Sequence, residues 1–306
     1  LSNCNKNALD LNDDVFFDKS KKLAISVDTY IEGTHFINFD YPDLVIKKIL
    51  RSSISDLICK GVIPKYYFIS GSGDKKSFSV KNLKKISKSL SQEQKKYSIY
   101  LSGGDTTYSK KLSFTITVIG YSNKIIYRNK AKLNDDIYVT GNLGDSFIGL
   151  MILKKKINLN NKLSSYFKKS FFFPKLHINF TKKLLSFANT SIDISDGLIA
   201  DLEKLINKQK VSYKIFLNDV PVSKNLKELI RSKKISKRSC ISQGDDYQIL
   251  FTAPKSKSGI IRKTCNSLGI KISKIGKICS PSLKSQIINE KNIKITLKNK
   301  GYFHKF

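Results

Sequence analysis

Acidic residues in this chain gather in short segments rich in glycine or small polar residues: LNDD with Asp13 and Asp14, SVDT with Asp28, SGGDTT with Asp105, SIDISDG with Asp193 and Asp196, and SQGDDY with Asp245 and Asp246. Asp56, in SISDL, joins them from an otherwise basic stretch. In a chain with 24 acidic against 56 basic residues, carboxylates placed at expected strand ends read as ligands for a hard cation, not as solubilising surface. The chain lacks a G-x-x-x-x-G-K-[ST] loop, an H-E-x-x-H pair, a C-x-x-C pair and a G-x-S-x-G elbow. Carboxylates, glycines and hydroxyls suit magnesium, which takes octahedral oxygen ligands and shares them with substrate phosphates. Phosphoryl chemistry is therefore the first reading.

The elements that must hold these residues follow from hydrophobic periodicity. LAISVDTYI alternates apolar with small or polar residues and predicts a strand that delivers Asp28 near its end. Residues 42–60 predict a helix closed by Gly61, with Asp56 near its C-terminal end, where the helix dipole disfavours an uncompensated anion. Residues 66–70 predict a strand, 82–90 a lysine-faced helix, and 98–101 a strand running into a turn at Gly103-Gly104 that aims Asp105 at a ligand. Residues 112–121 predict a further strand, which completes an α/β unit of about 120 residues.

A basic connection at 123–132 leads to a second series. A strand at 137–140 passes through a glycine turn to a helix capped by Asp145 or Ser146. Residues 158–174 are low in complexity and read as loop. SIDISDGLIADLEKLI predicts a strand and helix with Asp193 and Asp196 at their junction, a natural location for metal-bound phosphate, where Asp196 also suits an N-cap.

At 306 residues two domains are expected, divided at 1–130 and 131–306, and 40% hydrophobic content is enough to bury both. No apolar run reaches the roughly 20 residues that span a bilayer, so no membrane partner is expected. The chain begins Leu-Ser-Asn-Cys with no signal pattern, which reads as a trimmed or internal start. Cys4, Cys59, Cys240, Cys265 and Cys279 are scattered without metal spacing and read as reduced thiols of a cytoplasmic protein. The net charge of +32 raises a polyanion-binding reading. Arginine, the better phosphate and base reader, stands only at Arg51, Arg128, Arg231, Arg238 and Arg262, and the lysines are spread along the whole chain. Solvated lysine faces, with no specific nucleic-acid partner, are the preferred reading.

The ordered series LNDD, LAISVDTYIEGTHF, SISDL, LSGGDTT, NDDIYVTGNLGDS, SIDISDGLIADL, SQGDDYQILFT and KGY resembles the thiamine-monophosphate kinase family over nearly the whole chain. The resemblance implies an α/β (α+β), two-domain fold of the aminoimidazole ribonucleotide synthetase type, an N-terminal domain that forms a homodimer, and ATP held by several Mg2+ ions. By motif, Asp14, Ser26, Val27, Asp28, Asp56, Asp105, Asp193 and Asp196 match metal-binding positions. Gly104, Asp105, Arg128 and Ser195 match positions that contact ATP, and His35, Asp245 and Tyr302 match positions that contact thiamine monophosphate. Three departures stand out: Val27 replaces threonine and offers a metal only its backbone carbonyl, Asn12 replaces a glycine, and Asp245 replaces a glutamate one methylene longer. Asp13 and Asp246 read as supporting or turn-forming residues, and Asp135, Asp136 and Asp145 as caps and turns.

The implied reaction passes the γ-phosphoryl group of ATP to thiamine monophosphate. The acceptor is already an anion, so no general base is assigned, and the difficulty lies in bringing phosphates together. Two unit charges 4 Å apart repel by about 4 kcal/mol at an effective dielectric near 20. The rival readings are another ATP-dependent enzyme of the same superfamily, of the aminoimidazole ribonucleotide synthetase or selenophosphate synthetase type, and a basic polyanion-binding protein.

Overall fold

A computed structural model describes residues 5–232, 234–297 and 299–303; Cys4 lies outside them. Contacts divide the chain into two compact units, one of Leu1–Ile58, Val62–Ile125 and Phe172–Pro174, the other of Cys59–Gly61, Ile126–Phe171 and Lys175–Phe306.

The first unit is built from β1 (Phe16–Asp18), β2 (Leu23–Ile31), α1 (Pro42–Cys59), β3 (Ile63–Gly73), α2 (Val80–Tyr97), β4 (Tyr100–Tyr108) and β5 (Ser113–Tyr121). Its sheet runs β1-β2-β5-β3-β4, antiparallel except for β3 and β4, which α2 joins as a crossover. Pro42 starts α1 and Asp43 sits in its first turn, both favourable there. Ile46, Ile49, Leu50, Ile54, Leu57 and Ile58 are fully buried, as are Ile116 and Val118 of β5. Gly61 ends the helix with a left-handed φ of 81°, as its spacing predicts. Arg51, one of the few arginines, is spent inside this unit: it makes a buried two-pronged pair with Glu93 (2.7 and 2.8 Å).

Alternation along β2 sends Ala24, Ser26, Asp28 and Tyr30 to one face and Val27 to the other. That second face is open. Val27 is 62% exposed, and Phe68 and Tyr121 are exposed with it; the edge strand β4 is exposed at every residue.

The expected turn at Gly103-Gly104 is instead the middle of β4. The strand continues to Tyr108 and carries a bulge, because Tyr67 and Phe68 of β3 face Leu101 and Gly103, leaving Ser102 as the extra residue. Glycine is needed here for close approach, since a Cβ on Gly104 would stand 1.8 Å from the Ile69 carbonyl oxygen.

The second unit contains β6 (Asp136–Thr140), α3 (Asp145–Leu153), α4 (Asn161–Phe172), α5 (Ile178–Leu184), β7 (Thr190–Asp193), α6 (Leu198–Leu205), β8 (Ser212–Phe216), α7 (Lys224–Arg231), α8 (Lys237–Ile241), β9 (Ile249–Ala253), α9 (Ser258–Ser267), β10 (Ile272–Cys279), β11 (Gln286–Ile288) and β12 (Lys294–Ile295). Its sheet runs β12-β11-β8-β10-β6-β9-β7. Strands β6, β7 and β9 are buried at every residue, as strands covered on both faces are. A core of Ile137, Val139, Ile192, Leu198, Leu202 and Ile215 lies along it.

Residues 158–174 are not the loop that their composition predicts. They hold α4, whose Phe167 and Phe171 are buried at helical spacing, while the Asn160 side chain accepts the Leu163 amide at its start. The two expected caps also differ. Gly144, not Asp145 or Ser146, stands at the N-cap of α3, and Gly197, not Asp196, at that of α6. The Asp145 carboxylate is taken instead by the Tyr166 and Ser223 hydroxyls (2.8 and 2.7 Å). The amides of Asp196 and Gly197 donate to Asp201 from within α6 (2.9 and 3.0 Å). Among the described residues no helix is long and apolar enough to cross a membrane.

Candidate phosphate and metal site

In the first unit, the carboxyl groups of Asp28 on β2 and Asp56 in the last turn of α1 come within hydrogen-bonding reach of each other. Burial pushes the Asp28 carboxyl above its ordinary range, while hydrogen bonds from Tyr30, Ser53 and Asp56 pull it back. The Tyr30 hydroxyl donates to Asp28 Oδ2 (3.2 Å) and lies 2.9 Å from Ser53 Oγ, and Ser26 Oγ donates to the Ser53 carbonyl (3.4 Å). Two carboxylates this close repel unless a proton or a cation lies between them. A cation held between the two would be the partner that Asp56, at the negative end of α1, calls for.

His35 belongs to the same cluster. Its Nδ1 accepts the Ile31 amide (3.0 Å), which puts the proton of the neutral ring on Nε2. The ring stands edge-on to Tyr30, 5.8 Å between centroids. Asp13 turns its carboxylate onto the Asp14 amide (2.8 Å), in keeping with a turn-forming role. Asp105 is exposed on β4, with Oδ1 accepting the Thr106 amide (2.7 Å). Val27 presents its side chain to the open face, away from Asp28, so only its main chain can serve a cation.

In the second unit, three segments distant in sequence are stitched together by main-chain hydrogen bonds. Asp245 N–H donates to the Ser195 carbonyl and Tyr302 N–H to the Asp196 carbonyl, both at 2.9 Å. Ser195, Asp196, Asp245 and Tyr302 are thereby neighbours, with Asp193 at the end of β7 just before them. Gly244 packs on the Ser195 backbone and Gly301 on Asp196 and Ala200. Asp245 and Tyr247 both adopt left-handed φ (67° and 49°), and the Tyr247 hydroxyl donates to Asp245 Oδ1 (3.3 Å). Arg128 lies in the chain between Tyr127, whose carbonyl takes the Thr190 hydroxyl (2.7 Å), and Asn129, whose amide donates to the Leu205 carbonyl (2.8 Å).

Supporting residues outside the assigned metal and substrate positions also have roles here. Lys204 forms an ion pair with Asp196 and lies 3.4 Å from Asp201. An ammonium thus sits where a cation ligand of Asp196 is expected. Burial raises the Asp201 carboxyl to about 6. Asp246 is fully buried, its carboxyl pushed up by burial and its Oδ2 accepting the Gly144 amide (2.8 Å), which ties the Asp245 loop to the start of α3. Tyr30 has a signal in the sequence, because it lies two residues from Asp28 on the same strand face. Asp201 closes the SIDISDGLIADL segment but, like Lys204 after it, reads as an ordinary member of an amphipathic helix.

The donors that the motifs supply are oxygens, seven aspartates counting Asp245, the Ser26 hydroxyl and the Val27 carbonyl, with the softer Cys59 Sγ lying within 4.8 Å of an Asp193 oxygen. Together with the Asp28–Asp56 contact, this set fits magnesium and not a soft metal.

Residues 11–122 match the family described as AIR synthase related protein, N-terminal domain. A thiamine-monophosphate kinase of Buchnera aphidicola subsp. Schizaphis graminum is 36% identical over 289 residues, which cover 94% of this chain and 88% of the relative. A solved structure of AaThiL complexed with AMPPCP and TMP superposes with a TM-score of 0.83 at 26% identity, covering 95% of this chain and 91% of that one. The crystal structure of thiamine monophosphate kinase from Aquifex aeolicus gives 0.79 at 26% identity, covering 95% of each chain.

Proposed function

The chain belongs to the thiamine-monophosphate kinase family, and on that premise we propose that it transfers the γ-phosphoryl group of ATP in line to thiamine monophosphate, giving thiamine diphosphate and ADP. The observation that carries the magnesium part of this reading is the Asp28–Asp56 carboxyl contact beside Ser26 and His35. Asp14, Ser26, the Val27 carbonyl, Asp28, Asp56 and Asp105 of the first unit, and Asp193 and Asp196 of the second, hold several Mg2+ ions. When bound, magnesium offsets the charge of the approaching phosphates.

The chain's own groups do the rest. Gly104, Asp105, Arg128 and Ser195 bind ATP. His35, with its proton on Nε2, donates to the substrate, and Asp245 and Tyr302 hold the acceptor. We assign metal binding, ATP binding and dimerisation to residues 1–130, and completion of the nucleotide and substrate site to 131–306. Cys59, Cys240, Cys265 and Cys279 are buried as thiols, in keeping with the cytoplasmic enzyme proposed. The test is ADP and thiamine diphosphate formation with and without Mg2+, with Asp28→Asn as control. Product formed equally without Mg2+ would overturn the metal assignment, and no product from folded protein would overturn the substrate.

Asp245 allows a gentler test. Its left-handed φ is one that Asp tolerates better than most residues, and Tyr247 fixes its carboxylate. Asp245→Glu lengthens the reach by one methylene and should change KM for thiamine monophosphate by about 10-fold, the worth of one altered hydrogen bond to a charged group, while KM for ATP stays within about 2-fold. Steady-state kinetics with each substrate varied in turn decides it. Equal shifts in both constants would remove Asp245 from the acceptor site.

The open face of the first sheet, with Val27, Phe68 and Tyr121 exposed beside an uncovered β4, supports a second copy of this chain as its occupant. Phe68→Asp places a charge in that face and should convert a dimer to monomer in light scattering coupled to gel filtration. A wild-type chain that is monomeric at tens of micromolar would overturn the homodimer.

A further inference from the structure

Lys60 is fully buried, and none of the residues assigned above uses it. Its Nζ donates to the Ser191 carbonyl at 2.7 Å. Ser191 answers with a hydrogen bond from Oγ to the carbonyl of Cys59, and Ile126 N–H donates to the Lys60 carbonyl (3.0 Å). The Cys59–Gly61 segment is thus interlocked with β7 inside the second unit.

The place of Ser191 gives this contact its meaning. β7 ends the seven-strand order, with β9 as its strand neighbour. Ile194 N–H donates to the Gln248 carbonyl (2.9 Å), so by antiparallel alternation Ile192 pairs inward with Leu250 and the Ser191 carbonyl points off the sheet edge. An edge carbonyl in a dry interior needs a donor, and Lys60 supplies one with full charge. Two residues further on, the same strand ends in Asp193, whose carboxylate has an oxygen within 4.8 Å of Cys59 Sγ. A buried ammonium is a poor choice for stability alone, since its desolvation cancels much of what it gains.

We propose that Lys60 is a positioning residue for Asp193: its ammonium clamps the free edge of β7 and fixes where that strand delivers the carboxylate to a divalent cation. The inference rests on the reading of Asp193 as a magnesium ligand. It makes Lys60 a supporting group for the cation site, of the kind whose loss weakens metal binding by about 10- to 100-fold.

The test uses the full chain with Mn2+ as probe, bound cation being counted by electron paramagnetic resonance, alongside Mg2+ activation curves. Lys60→Met keeps the length of the side chain and removes the charge. It should weaken Mn2+ binding and raise the half-activating Mg2+ concentration by about 10-fold, with kcat at saturating Mg2+ within about 2-fold of wild type. A purely structural role would lower the melting temperature and leave cation affinity where it was. Ser191→Ala cuts the second tie to the same segment, and should weaken Mn2+ binding in the same direction even where Lys60→Met fails to fold. Asp193→Asn separates the two claims. If Asp193→Asn weakens Mn2+ binding while Lys60→Met and Ser191→Ala leave it unchanged, the positioning role is overturned and the ligand reading stands. If Asp193→Asn itself leaves Mn2+ affinity unchanged, both fall.

Discussion

Asp28→Asn is expected to lower Mg2+-saturated turnover on the order of 1,000-fold, the equivalent of about 4 kcal/mol of lost transition-state charge stabilisation. The amide is nearly isosteric, so the fold should survive. Its oxygen still accepts from Tyr30, and its nitrogen replaces an oxygen that meets Asp56. The chemical effect is nevertheless large. In the native pair, two carboxyls share a space that only a proton or a cation makes tolerable, and burial already pushes Asp28 upward. Asparagine removes that charge conflict without a metal. The site becomes satisfied when empty, and the drive to take up Mg2+ is lost along with one anionic ligand. Circular dichroism and melting temperature should stay near wild type or rise slightly, because a buried like-charge contact has been relieved. Mn2+ stoichiometry should fall. Near-normal turnover from folded Asp28→Asn protein would remove the pair from the chemistry and leave it a structural hydrogen bond.

How much of this site is legible in the sequence differs by kind of interaction. The alternation in LAISVDTYI places Asp28 and Tyr30 on one face of β2, and the spacing of apolar residues places Asp56 in the last turn of α1. Both are local regularities of strand and helix. Their meeting is not local: it depends on how α1 packs on the inner face of the sheet, through contacts such as Ser26 to Ser53. Motif order supplies that meeting, because a family resemblance carries tertiary information that periodicity lacks. Two of the departures from expectation share one cause. Propensity makes Gly103-Gly104 a turn, whereas these glycines serve close strand packing. Polar composition makes 158–174 a loop, whereas two phenylalanines one turn apart bury a helix there. In each case the backbone neighbours that decide the outcome lie far away in sequence. Asp196 is not the cap, for a local reason: Asp201, five residues on, reaches back to its amide from the first turn of α6.

Close backbone approach is also what makes Gly244→Ala the most damaging single methyl group that can be added to the second unit's site. A Cβ there would stand 1.6 Å from the Ser195 carbonyl oxygen, 2.4 Å from its carbon and 2.8 Å from Asp196 Cα. All three are main-chain atoms, so no rotamer change relieves the overlap. One of the two segments must shift by roughly an ångström or more to restore ordinary contact distances, and the hydrogen bond from Asp245 N–H to the Ser195 carbonyl lies in the path of that shift. Ser195 and Asp245 are assigned to different substrates, so KM should rise for both ATP and thiamine monophosphate. A displacement of about 1 Å at reacting groups is worth about 100-fold in rate, and kcat/KM should fall by at least that. Overpacking of this kind destabilises by about 1–3 kcal/mol, visible as a lower melting temperature. Gly259→Ala is the matched control. It lies in α9, where an added methyl group would have nothing within 4 Å, and alanine suits a helix better, so activity should be unchanged and stability equal or slightly higher. Gly244→Ala protein with wild-type kcat/KM for both substrates would mean that the Ser195–Asp245 contact does not set the geometry of the site, and that other ties, such as Asp246 to Gly144 and Tyr247 N–H to the Ile194 carbonyl, hold the left-handed Asp245 loop.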